Sequence, residues 1–249
     1  MRFFYFFVYM MTFITLSQNN FTDLNGLKQG YWKLFFPYNS SDSLVSEEGL
    51  FSNNMEEGLW IKYHDNGNIR EIINYNNGKL EGLRLVIDKT GRVEEQEFFK
   101  DGKYDGNQIY FYNTGKISIK GYYTRGVKEG EWLKYYTNGL KQSSVYYVNG
   151  IKQGLSKWYF DNEQLSIQYL YDNGMIEDTV YAYHKTGDIR SKSSYLNNKL
   201  HGESVYFYPS GKIKEKGLFI EDQKHGDWCR YDSLGYQIDC VKYKKGVLK

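Results

Sequence analysis

Apolar and aromatic residues recur along this chain in short alternating runs of about eight to ten residues, each run closed by glycine. Alternation of that kind has the period of a strand, and the glycines mark the bends between strands. Gly58, Gly82, Gly106, Gly130, Gly154, Gly202 and Gly226 stand 24 residues apart, and Asp178 occupies the one substituted rung. With each rung numbered as position 0, glycine returns at position 9 (Gly67, Gly91, Gly115, Gly139, Gly187, Gly211, Gly235) and at position 20 (Gly78, Gly102, Gly126, Gly150, Gly174, Gly246). Aromatic residues keep the same beat. Position 5 is Tyr or Phe except at Ile87, and position 17 is aromatic without a break from Tyr75 to Tyr243. A unit from Gly30 carries Trp32 and Phe35, then a four-residue insertion within 39–48, and regains phase at Phe51.

Each unit therefore predicts two strands and two hairpin turns. The two prolines, Pro37 and Pro209, both fall at position 7. In Pro209-Ser210-Gly211 a three-residue loop puts proline second in a type I turn, with Gly211 in the left-handed conformation that closes the bulge. A two-residue loop would put proline in the ladder, where its missing N–H is a fault. With three-residue loops at both ends, all odd positions share one face. That face would hold the aromatics of positions 5 and 17 together with Ile69, Ile117, Ile189 and Ile213 at position 11 and Ile61, Leu85, Ile109 and Leu133 at position 3. The even face would be polar, apart from a cluster of Tyr110, Tyr112, Tyr122, Tyr136, Tyr146, Trp158 and Phe160, a candidate partner-binding surface because aromatic side chains dominate binding hot spots. The same rings have a plain structural reading as cross-strand pairs that hold a sheet together.

The units Gly58–Glu81, Gly130–Gln153 and Gly202–His225 resemble MORN-type repeats. The shared pattern stands here as Gly58-Leu59-Trp60-Ile61-Lys62-Tyr63, Asn66-Gly67, Tyr75 and Asn77-Gly78-Lys79, and again as Gly130-Glu131-Trp132-Leu133-Lys134-Tyr135 and Gly226-Asp227-Trp228-Cys229-Arg230-Tyr231. The 24-residue period is similar to the bacterial MORN-variant repeat, whose members are often labelled antitoxin components of toxin–antitoxin systems. The resemblance covers about residues 25–249. It implies an all-β, elongated, single-layer antiparallel meander of about nine hairpins serving as an interaction platform, with no catalytic residues to carry over.

The first residues change the picture of where this array works. Arg2 precedes an apolar run, Phe3–Leu16, too short for a comfortable membrane span, and polar Ser17-Gln18-Asn19 follows. That reads as a secretory signal peptide over 1–17, with an uncleaved anchor as the alternative. A lead-in segment follows over 18–29, then the array over 30–249, its units starting at 30, 58, 82, 106, 130, 154, 178, 202 and 226. The expected location is secreted, periplasmic or cell envelope. Membrane association is expected only through that N-terminus.

Charge and candidate chemistry exclude more than they add. The net charge is +2 from 32 basic and 30 acidic residues, with no strongly basic stripe of the kind nucleic-acid binding needs. A modest basic strip runs around Lys116, Lys120, Arg125, Lys128, Lys134 and Lys141, weaker than a polybasic membrane anchor. His201 and His225 share a position two strands apart, roughly 10 Å at normal strand spacing, too far to share a zinc ion. The acids before the rungs (Glu81, Asp105, Glu129, Glu177) have the same wide spacing and read as a solvated edge column. No metal, cofactor or catalytic residue is expected. Cys229 and Cys240 stay open: a three-residue loop sends them to opposite faces, a two-residue loop sets them opposite each other, and an oxidising compartment favours a bond. The function expected is a non-enzymatic scaffold for an unidentified protein partner. A glycan- or wall-binding module using aromatic stacking, and an antitoxin-like component, are the alternatives.

Overall fold

A computed structural model describes residues 19–37 and 44–249; the expected leader and part of the 39–48 insertion lie outside the described residues. The described strands form one antiparallel sheet of 22 strands, and no helix occurs among the described residues. Successive strands pair with their sequence neighbours, so the sheet is an open single-layer meander, as the repeat implies. Strands of eight or nine residues alternate with the two kinds of turn.

The first turn of each unit is the three-residue loop that Pro209 requires. Tyr208 N–H donates to Lys212 O at 2.8 Å and Gly211 N–H donates to Tyr208 O at 2.9 Å, with Gly211 at φ 79°. The second turn differs from the expectation. Asn76 pairs with Lys79, so only Asn77 and Gly78 lie in the loop, both at positive φ (49° and 72°). This is a type I′ hairpin, the turn whose twist matches that of the flanking strands. It recurs at Asp101-Gly102, Arg125-Gly126 and Asn149-Gly150.

The expected sharing of one face by all odd positions is also corrected. Tyr63 pairs with Ile69 but Lys62 pairs with Glu71, so the residue at position 12, here Arg70, is an extra one. One inserted residue turns every later side chain of the strand to the other face. Position 17 therefore joins positions 0, 2, 4, 13 and 15, and leaves positions 3, 5 and 11. Register places Trp60 opposite Ile73 and Gly58 opposite Tyr75. This first face holds the core: Phe51, Trp60, Ile73, Tyr171, Val180, Phe219 and Trp228 are all buried there.

The bulge also decides the cysteines. The loop Ser233-Leu234-Gly235 has three residues, since Asp232 N–H donates to Tyr236 O. Yet Cys229 stands directly opposite Cys240, because the extra residue falls between Arg230 and Tyr231 in the ladder. The two sulfurs are bonded. A three-residue loop was expected to part them, and that expectation fails for the same reason as the face assignment.

Candidate interaction surfaces

On the core face the aromatics form ladders that run across units. Phe51 meets Trp60 at 4.8 Å between ring centroids, and Trp60 meets Tyr75 at 6.4 Å. Tyr104 stacks on Tyr123, which meets Trp132 edge-on. Lysines at position 22 close these ladders from above: Lys128 Nζ lies 4.1 Å from the Trp132 ring and Lys224 Nζ lies 3.9 Å from that of Trp228. Burial pushes the Lys128 ammonium below its ordinary value, with Lys152 adding to the effect. Where position 2 is not tryptophan, Val180 keeps it apolar in one unit and the polar Arg84, Gln108, Ser156 and Ser204 fill it in the others. Arg84 there reaches Glu71 and Glu97 at 2.5 Å and Glu95 at 3.1 Å. Burial opposes the Arg84 charge, but Glu71 and Glu97 outweigh it and hold the guanidinium above its usual range. Tyr104 and Tyr110 donate to the other oxygen of Glu97 at 3.1 and 3.0 Å. Gln108 keeps the tryptophan hydrogen bond, its Nε2 donating to Phe98 O at 2.9 Å as Trp60 Nε1 donates to Leu50 O at 3.0 Å.

The seven aromatic residues expected on a single face do not share one. Tyr110 and Trp158, at position 4, lie on the core face, opposite Ile119 and Ile167. Tyr122 and Tyr146, at position 16, lie on the other face, opposite Asn107 and Glu131. Tyr112, Tyr136 and Phe160 stand at the start of the three-residue turns. The Tyr112 hydroxyl donates to Tyr135 O at 2.6 Å and that of Tyr136 to Tyr159 O at 2.7 Å, each tying a turn to the next unit. Tyr208 does the same with Tyr231 O, and His64 Nε2 lies 2.8 Å from Ile87 O. The column of acids before the rungs has an equally structural task. Glu81, Asp105, Glu129 and Glu177 accept from the N–H of Asp101, Arg125, Asn149 and Asn197 at 2.9–3.0 Å, capping the first residue of each type I′ turn.

The outer face carries a feature the sequence reading missed, because it depends on the bulge. Positions 1 and 16 face each other across the strands there, and many of them carry exposed apolar residues, Leu50, Leu59, Leu83, Tyr122, Tyr146, Leu155, Leu170 and Leu218, with Asn74, Asn107, Glu131 and Glu203 among them. Exposure in this column runs from 37% at Leu83 to 56% at Leu59. The flanking positions of the type I′ turns extend it with Val127, Val148, Ile151 and Met175, all exposed. Beside the column runs a file of lysines, Lys120, Lys157, Lys192 and Lys216, none with an ion-pair partner among the described residues.

Comparison with known families agrees with this architecture. Residues 56–77, 104–124, 128–149, 152–173 and 200–221 each match the MORN repeat variant, every match beginning two residues before a rung. The chain is a MORN-type repeat protein, a repeat scaffold. No curated protein matches it. Among solved structures, the crystal structures of TcdB2-TccC3-Cdc42 and TcdB2-TccC3 align with 89% and 92% of this chain at 9% identity, with TM-scores of 0.16 and 0.17. The chain spans 19% of each of those chains, and likeness at that level carries no argument.

Proposed function

We propose that this protein is a non-catalytic scaffold of the cell envelope or extracellular space that docks a protein partner lengthwise on its outer face. The observation that carries the reading is the exposed column from Leu50 to Leu170. Monomeric proteins rarely leave this many large apolar side chains exposed along one line, and such surfaces mark interaction sites even where single polar residues such as Asn107 and Glu131 interrupt them. The four lysines beside it outnumber the column's own carboxylates, Glu131 and Glu203, and favour a partner whose contacting edge is acidic. Tyr122 and Tyr146 from the sequence reading belong to this surface. An extracytoplasmic location is supported by the apolar leader and by the Cys229–Cys240 bond, since disulfides persist in oxidising compartments.

The test is capture of a partner from envelope and culture-medium fractions by the full chain, followed by binding of the purified partner. Leu155→Glu combined with Leu170→Glu should abolish binding while circular dichroism stays that of the parent. Undiminished binding by a folded double variant would remove this surface from the proposal.

A further inference from the structure

Two openings on the core face are the same place in two different units. One, of about 480 Å³, lies where the unit from Gly130 meets that from Gly154. The other, of about 360 Å³, lies where the unit from Asp178 meets that from Gly202. Each is built from positions 6, 12 and 13 of one unit and the aromatic at position 4 of the next. In the first these are Tyr136, Gln142, Ser143 and Trp158; in the second, His184, Arg190, Ser191 and Tyr206. Ser143 pairs with Trp158, and Ser191 with Tyr206. The units from Gly58, Gly82, Gly106, Gly154 and Gly202 have Glu71, Glu95, Ile119, Ile167 and Glu215 at position 13, side chains long enough to fill this space.

A second observation is independent of the cavities. Each contains one buried side-chain polar atom with no hydrogen-bond partner: Gln142 Oε1 in the first, His184 Nε2 in the second. Buried polar atoms are almost always paired, and an orphan in a cleft marks a bond that a ligand can complete. Each cleft also has cations at its wall, Lys134 in the first and Arg190 with Lys214 in the second, and neither is lined by a carboxylate.

We propose that these clefts are paired sites for an acidic saccharide. The apolar side of a sugar ring rests against Trp158 or Tyr206, a hydroxyl completes the bonding of Gln142 Oε1 or His184 Nε2, and a ring carboxylate faces the cations. A hydroxyl both donates and accepts, so one ring satisfies the amide oxygen and the neighbouring serine in a space of this size. An acidic peptide offers the charge but not that density of hydroxyls beside a flat apolar surface. Four strands separate the clefts, about 19 Å at normal spacing. One oligomer can therefore occupy both, and its second contact gains from effective concentration. This site lies on the face opposite Leu155 and Leu170, so its fate is separate from that of the protein-docking surface.

Titration calorimetry on the full chain tests it, with galacturonate oligomers, malto-oligosaccharides of equal length and a polyglutamate peptide as probes. A galacturonate disaccharide should bind two per chain, and longer oligomers about tenfold or more tightly. The neutral sugars should bind more weakly. Trp158→Ala and Tyr206→Ala should each leave one site, and the pair none. Gln142→Met removes only the orphan amide; it should weaken the first site at least about threefold with the fold intact, and it decides the matter should the aromatic variants unfold. Leu155→Glu should change nothing. Absence of saccharide binding, binding of polyglutamate in its place, or affinity untouched by Gln142→Met and the aromatic pair overturns the proposal.

Discussion

The indole of Trp228 occupies the space that a side chain on Gly217 would need: a Cβ at Gly217 would lie 2.4 Å from Trp228 Cδ2. The backbone at Gly217 is outside the left-handed region, so its glycine is a matter of room and not of conformation. The same fit joins Gly121 to Trp132 and Gly49 to Trp60. Trp228 is 1% exposed and donates to Leu218 O at 2.9 Å, so the ring has nowhere to move.

Gly217→Ala should therefore cost about 1–3 kcal/mol, the usual penalty for overpacking. The loss should fall on the last two units, because a repeat array is held together by neighbouring contacts alone. Urea denaturation followed by tryptophan fluorescence measures the loss. Hydrogen exchange should show it concentrated from about residue 202 onward, while protection over 58–150 stays at the parental level.

The period, the all-β meander and the proline-bearing loop were legible in the sequence because each leaves a repeated mark of its own: glycine at positions 0, 9 and 20, proline at position 7. The bulge at position 12 leaves none. Its occupants are Arg70, Glu94, Ser118, Gln142, Ser166, Arg190, Lys214 and Ile238, and any residue serves, because an extra strand residue needs no special side chain. Missing it moved position 17 to the wrong face, gathered Tyr110 and Tyr122 onto one surface they do not share, and hid the outer column. Two signals were present. Asn77-Gly78 and Asn149-Gly150 are the residue pair that favours a two-residue type I′ turn. The glycine eleven residues before each of Trp60, Trp132 and Trp228 puts those positions on one face.

Bridging of Cys229 to Cys240 should leave no thiol reactive toward a thiol reagent until a reductant is added. Replacing both by serine should cost about 2 kcal/mol, the scale expected for a short closed loop. Both strands of that hairpin belong to the last unit, so the early units should again be unaffected, and partner binding along the column from Leu50 to Leu170 and saccharide binding at the two clefts should persist.

Tyr31 and Tyr63 give the chain a dependence on alkaline pH. Burial first, then hydrogen bonding to Glu48, pushes both phenols up to about 12; the Tyr63 hydroxyl donates to Glu48 at 2.5 Å. An unfolded tyrosine titrates near 10. Between about 10 and 12 these two sites keep protons in the folded chain that the unfolded chain has lost, so their contribution to stability is complete below pH 10 and falls as pH rises through 12. Denaturation midpoints taken from pH 9 to 12 should decline for the parent. The decline should be shallower for Tyr31→Phe combined with Tyr63→Phe, and an equal slope would show that Glu48 holds neither phenol.

Asp178 is the one rung where glycine is missing, and its backbone still takes the rung conformation, with φ at 63°. An L side chain is held there against its steric preference. Its carboxylate recovers little, accepting from the adjacent Thr179 N–H in an exposed position. Asp178→Gly should therefore raise stability, by about 0.5–1 kcal/mol: relief of left-handed strain favours the variant, and the greater freedom of glycine in the unfolded chain offsets part of it. The rung lies between the two proposed saccharide clefts and contributes to neither, so sugar affinity should stay constant while the urea midpoint rises. A fall in midpoint would mean that the Thr179 bond outweighs the strain, and that this unit departs from the glycine rule by adaptation.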